Sequence, residues 1–124
     1  MKRIILLIAL VFSASLCVAQ SQDLSRANAY FDRTFYSDAI PLYENVIKEE
    51  RSFEIVKNLA DAYYFTNDLK NAERCYRFLV KNYPHKIDAK YFFRYFHALK
   101  ASGHYEEAND VLRNQMILSE KELA

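Results

Sequence analysis

Apolar side chains recur at helical spacing along most of the chain. In its middle third, Leu59 and Tyr63 form one apolar stripe, and Tyr76, Leu79 and Tyr83 form another. Residues three, four or seven apart lie on one side of a helix, so each such segment has one face to bury. The pattern predicts an all-α fold with helices at about 22–34, 38–50, 53–66, 69–82, 88–101 and 105–118.

The helices repeat in pairs, and two columns of mostly small residues mark the repeats. The first column consists of Ala27, Ala60 and Phe96, and the second consists of Ala39, Ala72 and Ala108. Both columns step by 33 and then by 36 residues, and 12 residues separate the two columns in every copy. The extra residues of the second step therefore fall between copies, near Pro84.

Polar residues that can cap free N–H groups precede four of the predicted helices. These residues are Ser37, Ser52, Asp68 and Asp88. Pro84 is expected to close the fourth helix, and Gly103 lies in the expected turn of the third pair. Such short connections predict antiparallel neighbours that stack pair upon pair.

The middle copy resembles the tetratricopeptide (TPR) repeat. The matching residues are Val56, Leu59, Ala60, Tyr63, Ala72, Tyr76 and Pro84. The first copy departs at Arg26 and the third at Phe96. The resemblance implies a right-handed α-α superhelix, or solenoid, of about three TPR hairpins, with repeats at about 21–52, 53–86 and 89–120 and a concave inner face.

In TPR proteins the first helix of each pair lines the groove. By alignment, the groove-facing residues here include Leu24, Asn28, Phe31, Asn58, Asp61, Tyr64, Phe65, Lys90, Phe93, Arg94 and His97. We take eight of them as candidate peptide-binding residues: Asn28, Phe31, Asn58, Tyr64, Lys90, Phe93, Arg94 and His97.

Some TPR domains hold two carboxylates with a five-residue clamp, and four clamp positions match here. They are Asn28, Asn58, Lys90 and Arg94, whereas Leu24 replaces the first Lys. The resemblance thus implies a site for one carboxylate of an acidic or C-terminal peptide. The alternative is that Lys90 and Arg94, four residues apart, are ordinary solvated helix charges.

Residues 1–19 have the features of a secretory signal peptide. Lys2 and Arg3 precede an apolar run, and small residues lead to a cleavage site after Ala19. The run is too short for a typical spanning helix. Lipid attachment at Cys17 is a weaker alternative, because a bulky Leu16 precedes it. The expected product is an exported domain, 20–124, in the periplasm or at the outer-membrane periphery.

Two runs resemble the front TPR segment of Bacteroidetes OmpA-family outer-membrane proteins. They are 63–73 and 91–108, and the signal end at 18–20 is similar as well. In that family a β-propeller and a peptidoglycan-binding domain follow, and one branch serves type IX secretion. The resemblance implies an envelope location and a binding role, and it carries no peptidoglycan binding onto this chain.

Composition narrows the function classes. The 17 Lys and Arg residues are interleaved with 16 Asp and Glu residues, so the charge pattern gives no sign of a nucleic-acid partner. Phosphate-loop, nucleophile-elbow and zinc-protease motifs are absent. Glu106 and Glu107 have the pattern of solvated helix charges. We therefore expect no enzyme, no cofactor and no metal site, and we interpret Cys75 as a small buried residue.

These observations favour a scaffold that binds another protein or peptide, possible partners being outer-membrane or secretion components. It docks through its inner groove or through an exposed last repeat. Two alternatives stay open: a structural subunit that self-associates through aromatic surfaces, and the front domain of a longer OmpA-family protein. A hydrolase is the weakest interpretation.

Overall fold

A computed structural model describes residues 2–123, and for residues 12–20 it describes the backbone alone. All regular elements of the described residues are helices, and none of these residues is in a strand. Its elements are α1 (Lys2–Asp32), α2 (Tyr36–Val46), α3 (Phe53–Phe65), α4 (Leu69–Asn82), a 3-10 turn (Pro84–Lys86), α5 (Ala89–Ala101) and α6 (Tyr105–Leu123). The prediction of an all-α fold is confirmed.

The chain divides into two compact units, the first ending at Arg51 and the second beginning at Ser52. In the first unit α1 packs against α2. Ala27 and Ala39 are fully buried there, and Tyr43 is buried beside them. The Tyr43 hydroxyl donates a hydrogen bond of 2.7 Å to Asn28 Oδ1. This bond ties α2 to α1 through a side-chain pair.

In the second unit each helix packs on the next, α3 on α4, α4 on α5 and α5 on α6. Leu59, Tyr76, Leu79 and Leu99 are its largest fully buried side chains. Burying a side chain of this size stabilises a fold by about 1.5–3 kcal/mol. The core of the second unit therefore contains side chains from α3, α4 and α5.

The same turn joins the two helices of each hairpin. Thr34, Asn67 and Gly103 have φ angles of 64°, 62° and 81°, and they follow the 33- and 36-residue steps of the sequence. The N–H of the residue after each donates a hydrogen bond to the carbonyl oxygen five residues earlier, as from Asp68 N to Tyr63 O at 2.9 Å. This is the Schellman arrangement, which satisfies carbonyls at a helix end. The internal repeat predicted from the sequence is therefore present in the backbone.

Three of the four predicted caps are confirmed. The side chains of Ser52, Asp68 and Asp88 accept from the N–H groups of Ile55, Asn71 and Tyr91. The prediction for Ser37 is wrong. The Schellman turn after α1 places Phe35 at the N-cap of α2, so that helix begins before Ser37.

Three helix boundaries differ from the prediction. The first helix begins at Lys2 rather than near residue 22, and the sixth runs to Leu123 rather than to about 118. Both extensions lack Gly and Pro, the residues that interrupt helices most strongly. The second helix ends at Val46 rather than near residue 50, and Ile47 is its C-cap. The fourth ends at Asn82, just before Pro84, as expected.

The alanines of the two repeat columns point into the interior of their own units. Ala27, Ala39, Ala60, Ala72 and Ala108 are all fully buried. Phe96 is partly buried, and Cys75 is buried as interpreted from the sequence. Small side chains therefore allow the paired helices to approach closely in each hairpin.

The apolar side chains of Ile4 to Val11 in α1 are exposed. Ile4 and Leu10 each retain more than 60% of their accessible surface, the values being 61% and 65%. No helix among the described residues combines the length and the apolar character required to cross a membrane. The predicted cleavage after Ala19 falls where only the backbone is described.

Candidate functional site

Polar and aromatic side chains from the first helices of two hairpins meet on one surface of the second unit, which we call the α3–α5 face. Its residues are Asn58, Asp61, Tyr64 and Phe65 on α3 and Lys90, Arg94 and His97 on α5. Apart from the adjacent pair Tyr64 and Phe65, successive residues of this set are three or four apart within each helix, so they share one side of the helix. Side-chain contacts at the centre of the face connect α3 to α5.

Asp61 is the central group of this face. It is only 6% exposed, and its Oδ1 accepts two hydrogen bonds of 2.7 Å, one from the Tyr76 hydroxyl and one from Arg94 Nη1. A buried carboxylate needs such partners, because removing a charge from water is costly. Asp61 therefore fixes Arg94 on one side and anchors α4 on the other.

Aromatic rings surround the Arg94 guanidinium. Its carbon lies 4.8 Å from the centroid of Phe65, 5.5 Å from that of Tyr64 and 5.7 Å from that of Tyr91. Rings at such distances attract a cation and hold a planar guanidinium by stacking. The Arg94 side chain is 16% exposed, so the group is fixed in place and still reaches solvent.

The ionisation of this cluster follows from burial and from Asp61. Burial, and then the Asp61 charge, raise the pKa of the Tyr76 phenol far above its ordinary value. Burial opposes the charge on Arg94, but Asp61 and Tyr76 together outweigh it and leave the pKa of Arg94 raised. The Arg94 guanidinium, which donates to Asp61, therefore keeps its positive charge at neutral pH.

A second polar contact joins the two helices near the exposed end of the face. Tyr64 Oη and His97 Nδ1 share a hydrogen bond of 2.9 Å, and their rings meet edge to face with centroids 5.7 Å apart. Phe65 beside them is 48% exposed. The face therefore offers an exposed aromatic ring next to ordered polar groups.

Three of the eight predicted binding residues contact one another: Tyr64 contacts both Arg94 and His97. Asn58 and Lys90 precede them on the same two helices at helical spacing. The Lys90 ammonium lies 5.0 Å above the Tyr91 ring, so Lys90 adds an exposed positive charge.

The other three predicted residues have contacts within their own units. Asn28 and Phe31 belong to the first unit, where Asn28 accepts from Tyr43 and Phe31 contacts Tyr36 edge to face. Phe93 lines a crevice between α5 and α6.

The Asp61 contact changes the charge available to a carboxylate ligand. The guanidinium of Arg94 is already paired with Asp61, so the pair has no net charge. The carboxylate clamp inferred from the family resemblance stays a prediction. On this face, uncompensated positive charge would come from Lys90, and Arg94 would contribute its remaining N–H donors.

Sequence reasoning missed a second polar cluster, between α4 and α6. Arg77 donates to both oxygens of Glu107, at 2.7 and 3.3 Å, and also lies 2.9 Å from the buried Glu73. Tyr95 donates to Glu107 at 2.8 Å, and His104 Nδ1 lies 3.1 Å from Glu73. The spacing of Arg77 and Glu73, four residues apart, was a usable signal, but Glu107 lies 30 residues away.

This finding corrects the interpretation of Glu107 as a merely solvated charge. The bond from Arg77 lowers the pKa of the Glu107 carboxyl, and burial together with Glu107 raises the pKa of Tyr95 to about 12. The cluster consists of ion pairs and hydrogen bonds that join helices, which is a structural role.

No group of three or more potential metal ligands occurs among the described residues. Comparisons with protein-family models, curated proteins and solved structures gave no match to this chain.

Proposed function

We propose that this chain is a TPR-like scaffold of the cell envelope that binds a peptide segment of another protein on its α3–α5 face. The observation that carries the proposal is the fixed Arg94 guanidinium beside the exposed ring of Phe65. Interaction sites typically combine a rigid aromatic or Arg anchor with a polar surround. Here the two anchors, Phe65 and Arg94, come from two successive hairpins.

Two features support the scaffold part of the proposal. The Schellman turns recur at the spacing of the sequence repeat, and the middle copy resembles a TPR repeat. Stacked helical hairpins present their first helices side by side, which makes an extended surface for a partner.

The location rests on the N-terminal sequence. Residues 1–19 resemble a secretory signal, and the exposed side chains of Ile4 to Val11 fit a segment that is removed before the domain functions. The resemblance to Bacteroidetes OmpA-family proteins adds an outer-membrane or secretion component as the expected class of partner.

The surface chemistry favours a ligand with one apolar side chain and one acidic group. Phe65 offers exposed apolar area. Lys90 offers an exposed positive charge above the ring of Tyr91. Charge-assisted bonds are the strong ones at such sites. A peptide with a free C-terminal carboxylate satisfies both requirements.

The test is titration of short peptides with free and with amidated C-termini against wild-type chain and three variants. Phe65→Ala should weaken both peptides, because it removes apolar contact area. Lys90→Ala should weaken the free-acid peptide more than the amide. Lys81→Ala, an exposed cation on α4, is the matched control. Equal affinities for all combinations would remove this face as the binding site.

A structural subunit that self-associates is the second candidate function. It is favoured by exposed apolar side chains on α6, among which Leu112 is 45% and Met116 is 57% exposed. Size-exclusion chromatography with light scattering decides between the two, since a monomer at high concentration contradicts self-association.

A further inference from the structure

A polar cavity of about 690 Å³ lies between the first half of α4 and the connection from α5 to α6. Cavities that hold small organic ligands measure about 300–1,000 Å³, so this one has room for such a ligand. It shares no residue with the α3–α5 face. Its ionisable lining consists of Lys70, Glu73, Arg74 and Arg77 on α4 and of His104 after α5.

Basic side chains dominate this lining. Lys70, Arg74 and Arg77 are exposed, and they are three or four residues apart, so they form one stripe along α4. The lining contains a single acidic side chain, Glu73, and Glu107 binds Arg77 from outside the lining. Three bases against two acids leave an excess of positive charge, which favours an anionic ligand.

Glu73 holds two of the basic groups in the cavity wall. It is only 4% exposed, and its Oε1 lies 2.9 Å from Arg77 Nη2 and 3.1 Å from His104 Nδ1. A buried acidic side chain needs such partners, because leaving its charge unpaired is costly. Glu73 is therefore a positioning residue, and the wall that it orders loses little freedom when a ligand binds.

The internal repeat does not require bases at this place. Steps of 33 and 36 residues relate α4 to α2 and to α6. The positions of Lys70 and Arg74 are occupied by Ser37 and Pro41 in α2 and by Glu106 and Asp110 in α6. The hairpins thus pack with neutral or acidic residues at these positions, and the basic pair is particular to α4.

We infer that this cavity binds a small organic anion that carries two or more acidic groups, either carboxylates or phosphates. Lys70 and Arg74 bind these groups, Arg74 through the paired N–H donors of its guanidinium. Side chains four residues apart on a helix start about 6 Å from each other, which suits two separate acidic groups. An inorganic ion is too small to fill the cavity, so an organic anion should bind more tightly.

The test is calorimetric titration of the full chain with citrate, with fructose bisphosphate and with inorganic phosphate. Both organic anions should bind more tightly than inorganic phosphate, and the stronger of the two identifies the acidic group as carboxylate or phosphate. Triethyl citrate, an ester without charged carboxylates, should not bind. Sedimentation with vesicles of phosphatidylglycerol is the parallel measurement for a lipid headgroup.

Lys70→Gln and Arg74→Gln should each weaken binding of the stronger anion about tenfold, the loss expected for one charge-assisted hydrogen bond. Lys81→Gln is the matched control, because Lys81 continues the stripe on α4 beyond the cavity and removes the same charge. It should change the affinity by at most about twofold. Arg74→Lys serves in place of Arg74→Gln if circular dichroism shows that the latter fails to fold.

Several outcomes overturn the inference. One is the absence of saturable binding by either organic anion, and another is inorganic phosphate binding as tightly as they do. An equal loss in the Lys70, Arg74 and Lys81 variants would show attraction by overall charge rather than by the cavity. Binding to the vesicles alone would assign the stripe to a membrane surface. Peptide titration on the α3–α5 face involves other residues, so either proposal can fail without the other.

Discussion

Position 61 shows how one side chain changes what a hairpin can do. Asn28 occupies the equivalent position in the first hairpin, one step of 33 residues earlier. Asn28 and Asp61 each accept a bond of 2.7 Å from the tyrosine 15 residues later, Tyr43 and Tyr76. The carboxylate of Asp61 adds what the amide lacks, a counter-ion for Arg94.

Asp61→Asn should strengthen the binding of a peptide with a free C-terminus by about tenfold, because Arg94 then has a charge to offer. The Asn28 pair indicates that an amide keeps the tyrosine bond. The free energy of unfolding should fall by at most about 3 kcal/mol, since Arg94 loses its partner but remains partly solvated. Calorimetric titration and urea unfolding measure the two effects.

The control for this variant is the amidated peptide, whose affinity should change little. If Asp61→Asn changes the affinities of the free-acid and amidated peptides equally, Arg94 does not bind the carboxylate.

Glu107 makes stability depend on pH at the acidic end. Its folded-state pKa lies below the ordinary value of 4.5, so the unfolded state binds the proton first as pH falls. The stabilising contribution is therefore full above about pH 4.5 and is lost as pH falls through the folded-state value. Glu107→Gln should reduce the drop in unfolding free energy between pH 6 and pH 3.

The size of this effect should be about 1 kcal/mol or less, because Arg77 and Glu107 are 45% and 43% exposed and solvent screens them. Glu106→Gln is the matched control, since its side chain is exposed. Equal pH dependence in both variants would contradict the role assigned to Glu107.

At the scale of elements, the turn between paired helices requires one residue with a positive φ angle. Gly103 has φ of 81°, and a side-chain carbon built there meets no atom within 4 Å. Gly103→Ala should therefore lower the free energy of unfolding through backbone strain alone, by about 1–2 kcal/mol.

Gly103→Asn should cost less, because asparagine tolerates this conformation and Asn67 adopts it in the second hairpin. Thermal unfolding by circular dichroism ranks the variants. An Asn variant as destabilised as the Ala variant would show that a contact, rather than φ, requires the glycine.

The sequence predicts the elements well and the chemistry between them poorly. Alanine columns and caps such as Asp68 and Asp88 act within a few residues or repeat regularly, so the pattern reveals them. The cap prediction at Ser37 failed because the turn before α2 has Thr34 in the left-handed region, which a β-branched residue gives no reason to expect. The pairing of Arg94 with Asp61 joins residues 33 apart, and no local rule selects that partner.

At the scale of the molecule, processing of the N-terminus is the prediction with the clearest measurement. Expressed with residues 1–19 in a Gram-negative host, the chain should be recovered from the periplasm with Gln20 as its first residue, as mass spectrometry would show. Small residues precede the cleavage site, so Ala19→Arg should block processing.

A matched control is Ala29→Arg, which changes a residue beyond the signal and should leave cleavage intact. Full-length wild-type chain in the cytoplasmic fraction would contradict export.

The 3-10 turn at Pro84–Lys86 also determines where the chain can change length. Its three residues match the difference between the 33- and 36-residue steps, and all three are exposed. Length variation between hairpins thus leaves the Schellman turns and alanine columns in register, whereas one residue added inside a hairpin would rotate the following helix by about 100°. An epitope tag or a fluorescent label belongs at this junction.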